Sequence, residues 1–156
     1  TQAIKTANAL LLSPGAIQIY YGDESARPLQ IEGAVGDANL RSNMNWKDIA
    51  QDSNTQKILN HWRKLGLFRK KHKRSLALGK HQQLSDKPYY FSRSNQEEKV
   101  IIGLELEEKL KKVVLEDKTL EHSKWRDSYS NTEVEVINGV LSFESEFHTV
   151  LLERIR

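Results

Sequence analysis

Two clusters of residues in the first third of the chain could do chemistry. Tyr20, Tyr21, Gly22, Asp23 and Glu24 close the apolar run that starts at Ala16. Tyrosine rings stack on sugar rings, and carboxylates accept hydrogen bonds from hydroxyls. In parallel α/β folds, ligand sites gather where strands end at their C-terminal edge. The same residues also suit a plain strand end with a Gly-Asp turn, and turn chemistry favours them there. The second cluster runs from Gly36 to Trp46 and holds Asp37, Arg41, several amides and the tryptophan. Guanidinium and carboxylate groups fix hydroxyl directions, which fits a polyol or carbohydrate surface. The alternative is a loop pinned by an Asp37–Arg41 ion pair and anchored by Trp46.

Other polar groups carry less. The basic run Arg69 to Arg74 could meet phosphate, but cations also suit a helix C-terminus, where the macrodipole favours them. No aromatics interleave it for base stacking. His61 and His72 stand eleven residues apart, three helical turns, too far to share an ion. None of the five histidines has metal-ligand spacing, and no metal ligand is named. Asn60, His61 and Trp62 lie inside a helical pattern facing the core, not in a catalytic motif. No phosphate-binding loop or dinucleotide fingerprint is present.

Composition sets outer limits. The 156 residues are about one domain's length, with 24 Lys and Arg against 21 Asp and Glu, a net charge of +3. That balance does not favour nucleic acid as a partner. There are no cysteines, hence neither disulfides nor thiol chemistry. No apolar run approaches the ~20 residues of a membrane helix, and no signal peptide is visible. The chain opens on Thr1 inside a helical pattern, which points to a processed or partial chain.

The elements that must position these clusters read as two halves. Ala3, Ile4, Ala7, Leu10 and Leu11 share one helical face, and Pro14 with Gly15 ends that helix. Ala16 to Tyr21 reads as a buried strand rich in β-formers. A long loop follows from Gly22 to Trp46, and loops of that length are usually functional or disordered. Ser53 to Gln56 has capping-box spacing, opening a helix that buries Ile58, Leu59, Trp62, Leu65 and Phe68 and ends near Arg74. After residue 81 the period falls to two. Strands are predicted at Tyr89–Arg93, Val100–Leu106, Lys111–Glu116, Thr132–Ile137, Val140–Phe143 and Phe147–Arg154. Asn138 and Gly139 form the strongest hairpin signal. Six strands without an intervening helix argue for an antiparallel sheet or sandwich. A single strand makes no sheet, so the first half is incomplete by itself.

The stretch from Leu10 to Gly79 resembles glycoside hydrolase family 13, the α-amylase family. Gly15 to Glu24 is similar to the family's eighth barrel strand, with Ala16 where proline is frequent. Gly36 to Trp46 resembles the loop after that strand, and His61 to Gly79 the eighth barrel helix. Ser25, Ala26, Arg27 and Pro28 bring the resemblance closer to bacterial extracytoplasmic α-amylases. The implied architecture is α/β plus all-β. Residues 1–80 would be the C-terminal end of a (β/α)8 barrel, with helix 7, strand 8 and helix 8. Residues 81–156 would be the antiparallel β-sandwich called domain C.

The implied function is the C-terminal portion of a retaining hydrolase of α-1,4-glucans, periplasmic or secreted. Its nucleophilic Asp, acid Glu and stabilising Asp would lie before Thr1. None of Asp23, Glu24 or Asp37 matches a catalytic motif, so no catalytic residue is assigned. Gly22, Asp23 and Glu24 would line the active-site end of the barrel. Asp37 and Arg41 match the loop that approaches the non-reducing end of the bound glucan. The implied ligand is an α-glucan or maltooligosaccharide of the parent enzyme. No cofactor is assigned to this segment, and calcium would belong to the parent. The implied partner is a missing N-terminal barrel portion, or self-association in its place, with strand 16–21 and the barrel-facing side of Trp62 and Leu65 exposed. The rival reading is a carbohydrate-binding or packing β-sandwich. It would use Tyr89, Tyr90, Trp125 or Tyr129 as sugar platforms, unless those rings are buried.

Overall fold

A computed structural model describes residues 2–104 and 112–155. Glu105, Leu106 and Lys111, assigned to strands from sequence, lie outside the described residues. The chain divides into two compact units, Thr1–Leu67 and Phe68–Arg156.

The first unit begins with helix α1 (Gln2–Leu11), which buries Ala7, Asn8 and Leu11. After Gly15 the chain is extended from Ala16, but no ladder pairs Ala16–Tyr21 with another described segment. Ala16–Tyr21 therefore forms no buried strand within this chain, and Ile19, Tyr20 and Tyr21 are 47%, 43% and 42% exposed, as expected of this segment without its barrel neighbours. A strand is defined by its neighbours, and apolar β-formers alone cannot supply them.

Two 3-10 turns, Asp23–Ser25 and Gly36–Arg41, break up the long loop. Helix α2 (Trp46–Gln51) follows, unforeseen because it is short and buries no residue. Helix α3 (Ser53–Lys71) comes next. Its N-cap is Asp52, not the expected Ser53. Asp52 Oδ1 accepts from the Thr55 amide at 2.7 Å, while Gln56 Nε2 donates to the carbonyl of Ala50 at 3.1 Å. A carboxylate one residue earlier competes better for the free amides of the first turn.

Trp62 and Leu65 are 5% and 0% exposed, so the expectation that their barrel-facing side is open is also corrected. His61 is buried beside them, with Nε2 3.0 Å from Asn8 Oδ1 of α1. That bond satisfies a polar ring in an apolar setting.

In the second unit α3 ends at Lys71, and α4 (Lys73–Leu78) restarts after His72, whose φ of −105° and ψ of 33° leave the helical range. Among the described residues eight strands follow: β1 (Lys80–Ser85), β2 (Tyr89–Ser94), β3 (Lys99–Leu104), β4 (Lys112–Glu116), β5 (Lys124–Asp127), β6 (Thr132–Glu135), β7 (Val140–Glu144) and β8 (Val150–Ile155). They form an antiparallel six-stranded sheet in the order β1-β2-β3-β8-β5-β6 and a two-stranded sheet β4-β7. Tyr90, Ile101, Trp125 and Leu152 of the larger sheet share one core with Val113, Leu115, Leu141 and Phe143 of the smaller. Burying each such side chain contributes about 1.5–3 kcal/mol.

The fold is thus helices followed by a two-layer antiparallel sandwich. Asn138 and Gly139 make a tight turn, with φ of 53° and 74°, and Ile137 and Val140 exchange hydrogen bonds across it. The strands then part, because β6 pairs with β5 and β7 with β4. The expected hairpin is instead a corner between two sheets.

Candidate functional site

The site is built around a residue that the sequence reading passed over. Arg27 is 5% exposed, yet no carboxylate pairs with it among the described residues. Its Nε donates to the Tyr21 carbonyl at 3.1 Å. Its Nη1 donates to the Ser42 carbonyl at 2.7 Å and to Ser42 Oγ, and its Nη2 donates to the Leu40 carbonyl at 2.9 Å. The guanidinium lies 4.1 Å from the Tyr21 ring centroid and 5.8 Å from that of Tyr20. Carbonyl dipoles and aromatic faces thus solvate the cation, the ring contacts contributing roughly 0.5–2 kcal/mol each.

Arg27 joins the two sequence clusters. On one side it holds the Tyr20–Glu24 turn, on the other the Leu40–Ser42 backbone that ends the second 3-10 turn. Tyr21 Oη reinforces the junction by donating to the Ser42 carbonyl at 3.1 Å. Ser25 and Asn45 close it further on. Ser25 Oγ donates to Asn45 Oδ1 at 2.7 Å, and Asn45 Nδ2 donates to the Ser25 carbonyl at 3.1 Å.

Gly22 is buried with φ 87°, and a Cβ there would lie 2.4 Å from Arg27 Nε. Glycine is needed for both reasons. Asp23 and Glu24 are half-buried. Asp23 Oδ2 accepts from the Tyr20 amide at 3.3 Å, and Glu24 Oε2 from the Gly22 amide at 3.0 Å. One oxygen of each acid therefore serves the turn. Asp23 Oδ1 and Glu24 Oε1 have no hydrogen-bond partner among the described residues. Asp23 also lines a cavity of about 220 Å³ with Gln2, Thr6, Arg27, Leu29 and Trp62. The buried Trp62 Nε1 has no hydrogen-bond partner among the described residues.

Asp37 and Arg41 stand on the same 3-10 turn and are both exposed. No ion pair joins them among the described residues, and Trp46 is 69% exposed. The reading of a loop pinned by that pair and anchored by Trp46 is thereby set aside. Arg27 and Ser42 do the pinning. No residue type in the sequence marks this role, because the acceptors of Arg27 are mostly backbone carbonyls.

The aromatic residues of the second unit are differently placed. Trp125 and Tyr90 are each 1% exposed, and Trp125 Nε1 donates to Ser123 Oγ at 2.8 Å. Tyr129 is half-buried against the edge of Phe147, 5.1 Å between centroids. Burial and the neighbouring Asp127 charge push its hydroxyl up to about 12. Two cations of the basic run meet acids, Lys71 with Glu153 at 2.5 Å and Arg74 with Glu97 at 3.7 Å. Among the described residues no three His, Asp or Glu side chains are grouped to hold a metal ion.

Comparison with known proteins defines the class first. The crystal structure of AmyP in complex with maltose matches 97% of this chain and 34% of that one, with a TM-score of 0.70 at 15% identity. The α-amylase from Geobacillus thermoleovorans complexed with acarbose matches 99% of this chain and 33% of that one, with a TM-score of 0.69 at 19% identity. These likenesses give the fold: the end of an α-amylase barrel followed by its β-sandwich. No family model matches the chain.

Among sequence relatives, the periplasmic alpha-amylase of Escherichia coli K12 is 40% identical over 99 residues, 63% of this chain. The chain spans 14% of that relative's length. The segment resembles the C-terminal part of a glycoside hydrolase family 13 α-amylase.

Proposed function

We propose that the chain supplies the last barrel stave and the C-terminal β-sandwich of a retaining α-1,4-glucan hydrolase, periplasmic or secreted. Asp37 and Arg41 contact hydroxyls of a bound maltooligosaccharide. Gly22, Asp23 and Glu24 line the nearby wall, with Asp23 Oδ1 and Glu24 Oε1 turned to ligand or water. The observation that carries this reading is the Arg27 junction, which makes one assembly of the two clusters. The 40% identity to a periplasmic α-amylase supports the same reading.

Retaining hydrolysis needs an acid and a nucleophile about 5 Å apart on either side of the scissile bond. The acids of this turn are adjacent in sequence and each spends an oxygen on the backbone, so they do not form such a pair. The catalytic carboxylates belong to the rest of the enzyme, as does any calcium ion.

The 156-residue chain alone is therefore inactive. Incubation with starch and with a chromogenic maltooligosaccharide tests this. No turnover above a buffer blank is expected, and measurable release of chromophore would refute the assignment.

A further inference from the structure

His72 sits in the break between α3 and α4, and its side chain is 6% exposed. Both ring nitrogens face carboxylates: Nδ1 lies 2.7 Å from Glu98 Oε2 and Nε2 lies 2.9 Å from Glu153 Oε2. An ionised carboxylate only accepts, so both nitrogens must donate. This arrangement therefore holds the ring as the doubly protonated cation. We propose that His72 is a pH-operated latch, fastening the β2–β3 turn that carries Glu98 to the α3–α4 break when protonated and releasing it when neutral.

The surroundings decide which bond opens. Glu153, on β8, is 7% exposed and also takes Lys71 Nζ at 2.5 Å. Burial would push its carboxyl up, but the hydrogen bonds and charges of Lys71 and His72 outweigh that and hold it below the usual range. Arg126 faces Glu153 from β5 and is itself tied to Glu133. Glu98 is 32% exposed and is held by His72 and by Ser75 Oγ at 2.5 Å. Arg93 of β2 donates to the carbonyls of Ser75 and Leu76 and repels Arg69. Arg74 with Glu97 and Lys99 with Asp117 complete the charges around the turn. The Phe68 ring packs on the imidazole, 4.7 Å between centroids.

When the ring loses a proton it keeps one N–H. That N–H stays with Glu153, the more buried acid. Nδ1 then turns a lone pair toward Glu98 Oε2, which is repulsive at this distance. Glu98 is half-exposed and leaves for water. On the acid side the sign is opposite. Glu153's contribution is complete above the ordinary glutamate range and is lost as pH falls through its lowered value. The latch is closed between these limits.

The test is NMR of the full chain across pH, reading the His72 ring nitrogens and the protection of the Asn95, Glu98 and Leu76 amides. The ring is expected to be doubly protonated while the turn is protected. As it loses its proton, protection corrected for intrinsic exchange should fall about tenfold, with the same midpoint. His72→Gln should abolish the response. Glu98→Gln should also blunt it with the fold intact, because the amide can donate to the neutral ring; this variant decides the matter where His72→Gln does not fold. A neutral ring with the turn protected, or protection unchanged through the titration, would overturn the latch. So would a wild-type response in Glu98→Gln.

Discussion

Gly22 and Arg27 are fitted to each other: the space a Cβ would need at Gly22 is taken by the Arg27 side chain, with Nε only 2.4 Å from the position it would occupy. Gly22 also has φ 87°, a conformation that costs an L-residue about 1–2 kcal/mol. Overpacking adds roughly 1–3 kcal/mol. Gly22→Ala should therefore destabilise the first unit by about 2–4 kcal/mol, read as a fall in its thermal or denaturant midpoint. Combined with Arg27→Ala, it should cost about 1–2 kcal/mol less than the two single changes summed, since the clash is gone. Additive costs would show that the two residues do not compete for this space.

Arg27 should govern the order of the loop that carries Asp37 and Arg41. Arg27→Lys keeps the charge but cannot reach the carbonyls of Tyr21, Leu40 and Ser42 together. Faster amide exchange is expected from residue 36 to residue 43 in Arg27→Lys, nearly as fast as in Arg27→Ala. Wild-type protection in the lysine variant would mean that charge alone suffices.

His61 links acid pH to the stability of the first unit. Burial drives its pKa down to about 4, the Ile4 carbonyl only partly opposing this and the Lys64 charge adding to it. The folded state holds the ring neutral, whereas the unfolded chain protonates it near 6.5. Stability should therefore be complete above about pH 6.5 and fall as pH drops toward about 4. His61→Gln should flatten that part of the profile in urea titrations taken at several pH values. An equally steep loss in the variant would assign it to other groups.

Asp52 caps α3 from outside the span the sequence suggested. The Thr55 amide and hydroxyl, with the Asn54 amide, hold its carboxyl below the usual range despite some opposing desolvation. Its contribution should be present above the ordinary aspartate pKa and vanish as pH falls through the lowered one. Asp52→Asn should keep the cap and lose the pH dependence, whereas Asp52→Ala should lose both. Ser53→Ala should leave the helix unchanged by circular dichroism, and a loss of helicity there would return the cap to Ser53.

Much of the sandwich was legible because Val113 with Leu115 and Leu141 with Phe143 alternate with less buried positions, while Tyr90 with Phe91 and Val100 to Ile102 are short runs of β-formers buried on both faces. Tyr89 to Ser94 and Lys99 to Leu104 place Tyr90 and Ile101 on one side and Phe91 and Ile102 on the other. β1 was missed because Lys80 to Gln83 are polar and exposed. β5 was missed because only Trp125 in its four residues signals a core position. The parting of β6 and β7 after the Asn138–Gly139 turn was beyond local reading, since long-range pairing with β5 and β4 decides it. At the site, residue types marked Gly22 through Glu24 and Asp37 with Arg41 as polar clusters. The cation joining them was hidden, because a buried arginine bonded to carbonyls leaves no acidic partner to find in the sequence.

The most direct measurement is steady-state kinetics on maltooligosaccharides, using an active enzyme that contains this segment, with Asp37→Ala and Arg41→Ala. Removing a charged hydrogen bond to substrate costs about 1.5–3 kcal/mol, a factor of roughly 10–100. Both variants should raise KM by about that factor for chains that fill the site, with kcat little changed. Unchanged KM in both variants would contradict the account.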